Sequence, residues 1–249
     1  MAESKRNTIV FFHAFPFSGE MWRDQVTALS QKYTCVTPDL PGFGKNPRPE
    51  YPVTFEAYVD SMIDFLKKEK VENAVWCGLS MGGYLALRLY EREPGLCRAL
   101  ILCDTKSGAD GNEAKLKRWA TIQALKRSRQ EFTETQWKAL IGESSQTKVD
   151  LKKRFSELLA QTSDAGVMTG LVALATRTDT TEKLGEIRVP TLLLVGEEDN
   201  VTPMADSQAM SQKIQQSEIQ IMKKTGHLSN IESPDEFNSH LERFLESLD

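Results

Sequence analysis

Six short apolar runs punctuate the chain: TIVFF at residues 8–12, YTCVT at 33–37, NAVWC at 73–77, RALILC at 98–103, PTLLLV at 190–195 and EIQIM at 218–222. Most are continuously apolar rather than alternating, the pattern of strands covered on both faces. Residues 54–69 carry the clearest helical period. Thr54 is placed to cap, and Phe55, Tyr58, Val59, Met62, Ile63 and Leu66 follow the i, i+3, i+4, i+7 spacing of one buried stripe. Strand and helix in alternation predict an α/β fold with a doubly wound, mainly parallel sheet of about six strands.

The alternation stops after Cys103 and resumes at Pro190. KLKRWATIQALKRSR and LKKRFSELLAQ read as amphipathic helices, and GVMTGLVALATR as a more apolar one. This organisation predicts a sheet domain made of residues 1–104 and 185–249, with a helical cap inserted at 105–184. A cap leaving from the C-terminal end of one strand and returning before another covers the crevice in which open α/β sheets bind ligands.

With 249 residues, the chain suffices for one α/β domain with a large core. Its net charge of -4 offers no field suited to nucleic acid or an anionic membrane, so the expected partner is a small molecule. No stretch reaches the roughly 20 apolar residues of a membrane span, and the N-terminal run lacks a cleavage site. Cys35, Cys77, Cys97 and Cys103 show no paired spacing and fall mostly in predicted strands, as reduced cysteines of a cytoplasmic protein do.

Candidate chemistry begins at GLSMGG. Ser80 lies between an apolar strand and the helix-like MGGYLALRLYER, flanked by Gly78 and Gly82. A nucleophilic serine on a sharp strand-to-helix turn needs small neighbours, and the N-terminus of the helix behind it offers free N–H groups to an oxyanion. The serine also needs a base oriented by an acid. Of the three histidines, His227 falls on a loop after the last strand, at the same sheet edge as Ser80. His13, at the end of the first strand, is the rival, while His240 sits within the C-terminal helix and is expected to face solvent. Asp199 in GEEDNVTP is the candidate acid, with Glu197, Glu198 and Asp104 as alternatives. The backbone of HAFPFSGEMW, residues 13–22, is placed to supply an oxyanion donor at Phe15, opposite Met81.

Taken in order, HAFP, PDLPGFGKN, GLSMGG, GEEDNVTP and GHLSNIESP resemble the α/β-hydrolase fold family over nearly the whole chain. Within it the likeness is greatest to small esterases, 3-oxoadipate enol-lactonases and cofactor-free haloperoxidase-like hydrolases. The resemblance implies nucleophile Ser80, acid Asp199, base His227 and oxyanion donors at Phe15 and Met81. It also implies a small ester or lactone substrate and no metal or organic cofactor. Two departures stand out: Ala14 occupies a place where many members carry glycine, and the antiparallel strands that often open this fold are not expected.

Serine at position 80 argues against dehalogenase and epoxide hydrolase chemistry, which in this family calls for aspartate there. Thioester cleavage, perhydrolysis and carbon–carbon hydrolysis would use the same residues. A ligand-binding or single-turnover protein on the same fold is the alternative from another class. Trp22, Trp119, Trp137, Met168 and Leu171 are the candidate apolar lining of the pocket.

Overall fold

The computed structural model describes residues 7–47 and 53–248. Its sheet consists of β1 (Thr8–Phe12), β2 (Thr34–Val36), β3 (Ala74–Leu79), β4 (Cys97–Cys103), β5 (Thr191–Gly196) and β6 (Ser217–Met222). The order is β2-β1-β3-β4-β5-β6, and every pairing is parallel. All six expected runs form strands. The run at 33–37 yields only three strand residues, Thr34–Val36, at the edge of the sheet where β2 pairs with β1 alone.

Between the strands run α1 (Arg23–Leu29), α2 (Phe55–Lys68) and α3 (Met81–Arg92). The expected stripe of α2 is buried in full, from Phe55 to Leu66, and each such side chain removed from water contributes about 1.5–3 kcal/mol. Four helices then separate β4 from β5: α4 (Asn112–Arg127), α5 (Arg129–Leu140), α6 (Val149–Ala160) and α7 (Asp164–Ala175). They form the helical cap region. α8 (Met204–Ser211), α9 (Ser229–Glu232) and α10 (Pro234–Glu246) complete the chain. Among the described residues no single helix is long and apolar enough to cross a membrane.

Alternate strand residues feed two cores. Ile9, Phe11, Val75, Cys77, Ile101 and Leu194 face one side, whereas Val10, Phe12, Trp76, Leu100, Leu102 and Leu193 face the other. Parallel strands buried on both faces have no need for polar alternation, which is why their sequences read as continuous apolar runs. From β1 the chain moves outward to β2, then crosses back to β3 on the opposite flank. The direction of winding therefore reverses between β1 and β3, and the residues just past their C-terminal ends flank the crevice where such sheets bind ligands.

Candidate active site

Ser80 occupies that position. It follows Leu79 at the end of β3 and precedes Met81 at the start of α3, with φ 54° and ψ -111°. A side chain at that φ is strained, and such strain persists only where the surroundings over-determine the conformation. Here they do. Ser80 N donates to Cys103 O at 2.9 Å, while Ser80 O accepts from Gly83 N (2.9 Å), Tyr84 N (3.1 Å) and Thr105 Oγ1 (2.8 Å). The glycines answer a steric demand: a Cβ on Gly78 would overlap the Gly82 carbonyl, and one on Gly82 would overlap the Phe12 carbonyl.

His227 follows β6 on the loop that leads into α9, and its Nε2 lies 2.8 Å from Ser80 Oγ. Its Nδ1 lies 2.8 Å from Asp199 Oδ2. A carboxylate can only accept, so Nδ1 carries the proton and Nε2 is left to accept from the serine. Asp199 is itself fixed: Oδ1 accepts from Val201 N (2.7 Å) and Thr202 N (3.1 Å), and Oδ2 accepts from Thr202 Oγ1 at 2.7 Å. Thr202, which the sequence reading did not single out, thus orients the Asp199 carboxylate. Burial alone would lower the pKa of His227, but the charge and hydrogen bond of Asp199 outweigh it and hold the ring above its usual value. Burial likewise works against ionised Asp199, yet His227 and Thr202 keep it below the ordinary carboxylate range.

The alternative acids are engaged elsewhere. Glu197 pairs with Lys223 at 2.7 Å. Glu198 accepts from Ser144 N at 2.9 Å. Fully buried Asp104 accepts from Gly196 N at 2.8 Å and from Ser229 Oγ at 2.5 Å. Burial, reinforced by the charge of Asp199, raises its pKa well above normal. The rival histidine is also accounted for. Leu40 N donates to His13 Nε2 at 3.1 Å, which leaves Nδ1 as the protonated nitrogen, 3.0 Å from Ala14 O. His13 braces the loop after β1, and burial lowers its pKa. His240 is half-buried on α10 rather than fully exposed.

The loop after β1 turns at Ala14, with Phe17 N donating to Ala14 O at 2.9 Å. Ala14 is not among the residues with positive φ, so the loop forms without the freedom of a glycine there. Among the described residues neither Phe15 N nor Met81 N has a backbone or side-chain acceptor. Both N–H groups are therefore available to a ligand.

The cap is fastened to the histidine loop. His227 N donates to Leu140 O at 2.9 Å. Buried Glu232 accepts from Gly142 N (3.0 Å) through one oxygen, and from Gly226 N (2.9 Å) and Leu228 N (3.4 Å) through the other. The bond from Ser144 to Glu198 adds a tie to the acid loop.

Ser80 and His227 open into a cavity of about 420 Å³ whose apolar wall includes Phe15, Leu140, Leu171 and Leu174. Of the lining expected from sequence, Leu171 faces this cavity and the others do not. Trp22 is fully buried against Phe11 and Phe237. Trp137 packs edge-on to Phe155 at 5.4 Å in the core. Met168 is half-buried against that core, and Trp119 stands 59% exposed on α4. Large apolar side chains fill cores more often than pockets, and Trp119 falls on the solvent side of its helix. The polar lining was missed. Lys106, Asp110, Lys117 and Arg118 all face the cavity, and Arg177 lies behind them, its guanidinium 4.0 Å from the Tyr84 ring centroid.

A family model for the alpha/beta hydrolase fold matches residues 7–234. A 3-oxoadipate enol-lactonase of Acinetobacter baylyi is 30% identical over 96% of this chain and 89% of its own. A pimeloyl-[acyl-carrier protein] methyl ester esterase of Aliivibrio salmonicida is 25% identical, covering 99% of this chain and 95% of its own. Among solved structures, a thermophilic esterase of Thermogutta terrifontis, with malate bound, superposes with a TM-score of 0.92. It is 28% identical, and the match covers 98% of this chain and 91% of that one.

Proposed function

Because this chain belongs to the alpha/beta hydrolase fold family and acts on ester bonds, we propose that it cleaves small-molecule carboxylic esters, lactones included, through an acyl-enzyme on Ser80. The observation that carries this reading is the unbroken hydrogen-bond chain Asp199–His227–Ser80, with 2.8 Å at both links.

In this reaction His227 Nε2 takes the proton of the Ser80 hydroxyl as Oγ attacks the ester carbonyl. Asp199 holds the ring in the required tautomer and stabilises the imidazolium that forms. The N–H groups of Phe15 and Met81 receive the developing oxyanion, and the N-terminus of α3 adds its positive dipole end. The imidazolium then protonates the departing alcohol, and the tetrahedral intermediate collapses to the acyl-enzyme. His227 next activates a water, which releases the acid and restores the serine. The strained turn at Ser80 supports this assignment, since it presents Oγ at the cavity floor. The cap, in our reading residues 105–184, roofs the acyl group, and the four free cysteines fit a reducing, cytoplasmic setting.

The test is labelling by a fluorophosphonate probe together with turnover of short 4-nitrophenyl esters. We expect both in the wild type and neither in Ser80→Ala. Labelling without repeated turnover would instead identify a single-turnover ligand-binding protein.

A further inference from the structure

The cavity above Ser80 is unevenly charged. Three cations line it, Lys106, Lys117 and Arg118, against one acid, Asp110. That acid is already committed to two guanidinium groups: Oδ2 accepts from Arg118 Nε, and Oδ1 accepts from Arg177 at 3.0 Å. Two positive groups on one carboxylate leave a surplus positive charge beside the site. Arg118 uses only its Nε in this contact, and among the described residues its terminal nitrogens have no partner and form an open edge. Lys117 is the least available of the three, because Glu113 pairs with it at 2.8 Å where both are exposed.

Lys106 differs from the others. It sits three residues past the buried end of β4, is only half-exposed, and makes no ion pair or side-chain hydrogen bond among the described residues. Asp206 lies near enough to feel the charges of Lys106 and Arg177, but among the described residues no ion pair joins Lys106 to Asp206. An ammonium group at a cavity wall that is not closed into an ion pair remains open to an incoming anion, and a low-dielectric wall strengthens that attraction. A guanidinium with a free edge matches the two oxygens of a planar carboxylate.

Resting on the serine-hydrolase reading above, we propose that Lys106 and Arg118 form an anion-receiving corner of the Ser80 cavity. The preferred substrate is then an ester or lactone that carries a carboxylate a few bonds from the scissile carbonyl. The apolar wall of Phe15, Leu171 and Leu174 holds the carbon chain between the two polar ends. Lys106 acts in binding and takes no proton in the reaction.

Two matched pairs of esters test this. 4-Nitrophenyl hydrogen glutarate is compared with its methyl ester, which places the charge on the acyl side. 4-Carboxyphenyl butyrate is compared with its methyl ester, which places it on the alcohol side. We expect the anion to be favoured in at least one pair by about tenfold in kcat/KM, the factor of one charge-assisted hydrogen bond. The favoured pair identifies the side. That ratio should fall towards one in Lys106→Met, in Arg118→Gln, and on raising salt from about 0.01 M to about 1 M, where the screening length shrinks from ~30 Å to ~3 Å. Binding of glutarate to Ser80→Ala, followed by calorimetry, reads the corner without turnover, and adding Lys106→Met should weaken it about tenfold. Glutarate binding that depends on Lys106 in an enzyme that hydrolyses no ester would support the corner and sink the hydrolase reading. Neutral esters hydrolysed as well as charged ones, with glutarate binding absent or indifferent to Lys106, would overturn the corner alone.

Discussion

Asp199 Oδ2 meets His227 Nδ1 at 2.8 Å, on a carboxylate whose other acceptor positions are filled by Val201 and Thr202. The aspartate has no freedom to turn away, so the ring is held in one tautomer. Asp199→Asn presents an amide that cannot play the same part. We expect kcat to fall about 10³- to 10⁴-fold with the fold intact, as measured by steady-state kinetics beside circular dichroism. A fall of less than tenfold would remove Asp199 from the proposed role.

The pH profile follows from the same contact. The proposed base, His227, can accept a proton only when neutral, and Asp199 holds its pKa above the ordinary value of 6.5 despite burial. The acid limb of kcat/KM should therefore lie above pH 6.5 and shift downward for the residual activity of Asp199→Asn. The linkage to stability carries the same sign. A folded pKa raised above the unfolded one means that folding favours the protonated ring. That contribution is complete below about 6.5, the unfolded reference, and is lost as pH rises through the folded pKa.

Gly78 and Gly82 are predicted to be intolerant of even one methyl group. Each would drive a Cβ into a backbone carbonyl that cannot move without displacing β1 or α3. Gly82→Ala should cost at least about 1–3 kcal/mol in urea unfolding and greatly reduce probe labelling of Ser80. Gly95 has nothing near its would-be Cβ, so Gly95→Ala serves as the control and should be neutral or stabilising by up to about 1 kcal/mol.

Glu232 should prove structurally expensive to remove. Its buried carboxylate receives N–H groups from Gly142, Gly226 and Leu228. Glu232→Ala orphans these donors and should destabilise the protein by about 2–4 kcal/mol, while Glu232→Gln, which keeps one acceptor oxygen, should cost less. Thermal and urea unfolding would check the order. Activity should fall along with stability, because His227, whose N–H donates to Leu140 O, lies one residue from Gly226 in the same junction.

Much of this arrangement was legible in the chain because it rests on local rules. Continuous apolar runs marked the six strands, and the stripe from Phe55 to Leu66 marked α2. The small residues around Ser80 signalled a turn that only small residues permit. Contacts between distant residues left no such trace. Asp110 with Arg177 and Glu232 with Gly142 join positions far apart in sequence, and nothing in composition or spacing pairs them. Trp22 and Trp119 were expected to share a cavity, yet one is wholly buried and the other faces solvent. An indole satisfies either environment, and only the third dimension decides between them. The cations of the cavity were hidden likewise, since a lysine within a charged helical segment reads as solvated surface.

The fastening of residues 140–144 to the loops bearing Asp199 and His227 constrains how this scaffold can be re-engineered. Substrate range in such an architecture invites transplantation of the roof from one homologue to another. Here a donor roof would have to bring its own carbonyl for the His227 amide and its own partners for Glu232 and Glu198. A chimera whose junctions fall inside that short segment would inherit a new pocket and a misplaced imidazole together. Junctions set outside it, keeping Leu140 through Ser144 with the recipient, would let selectivity change hands while the chemistry stays where it was.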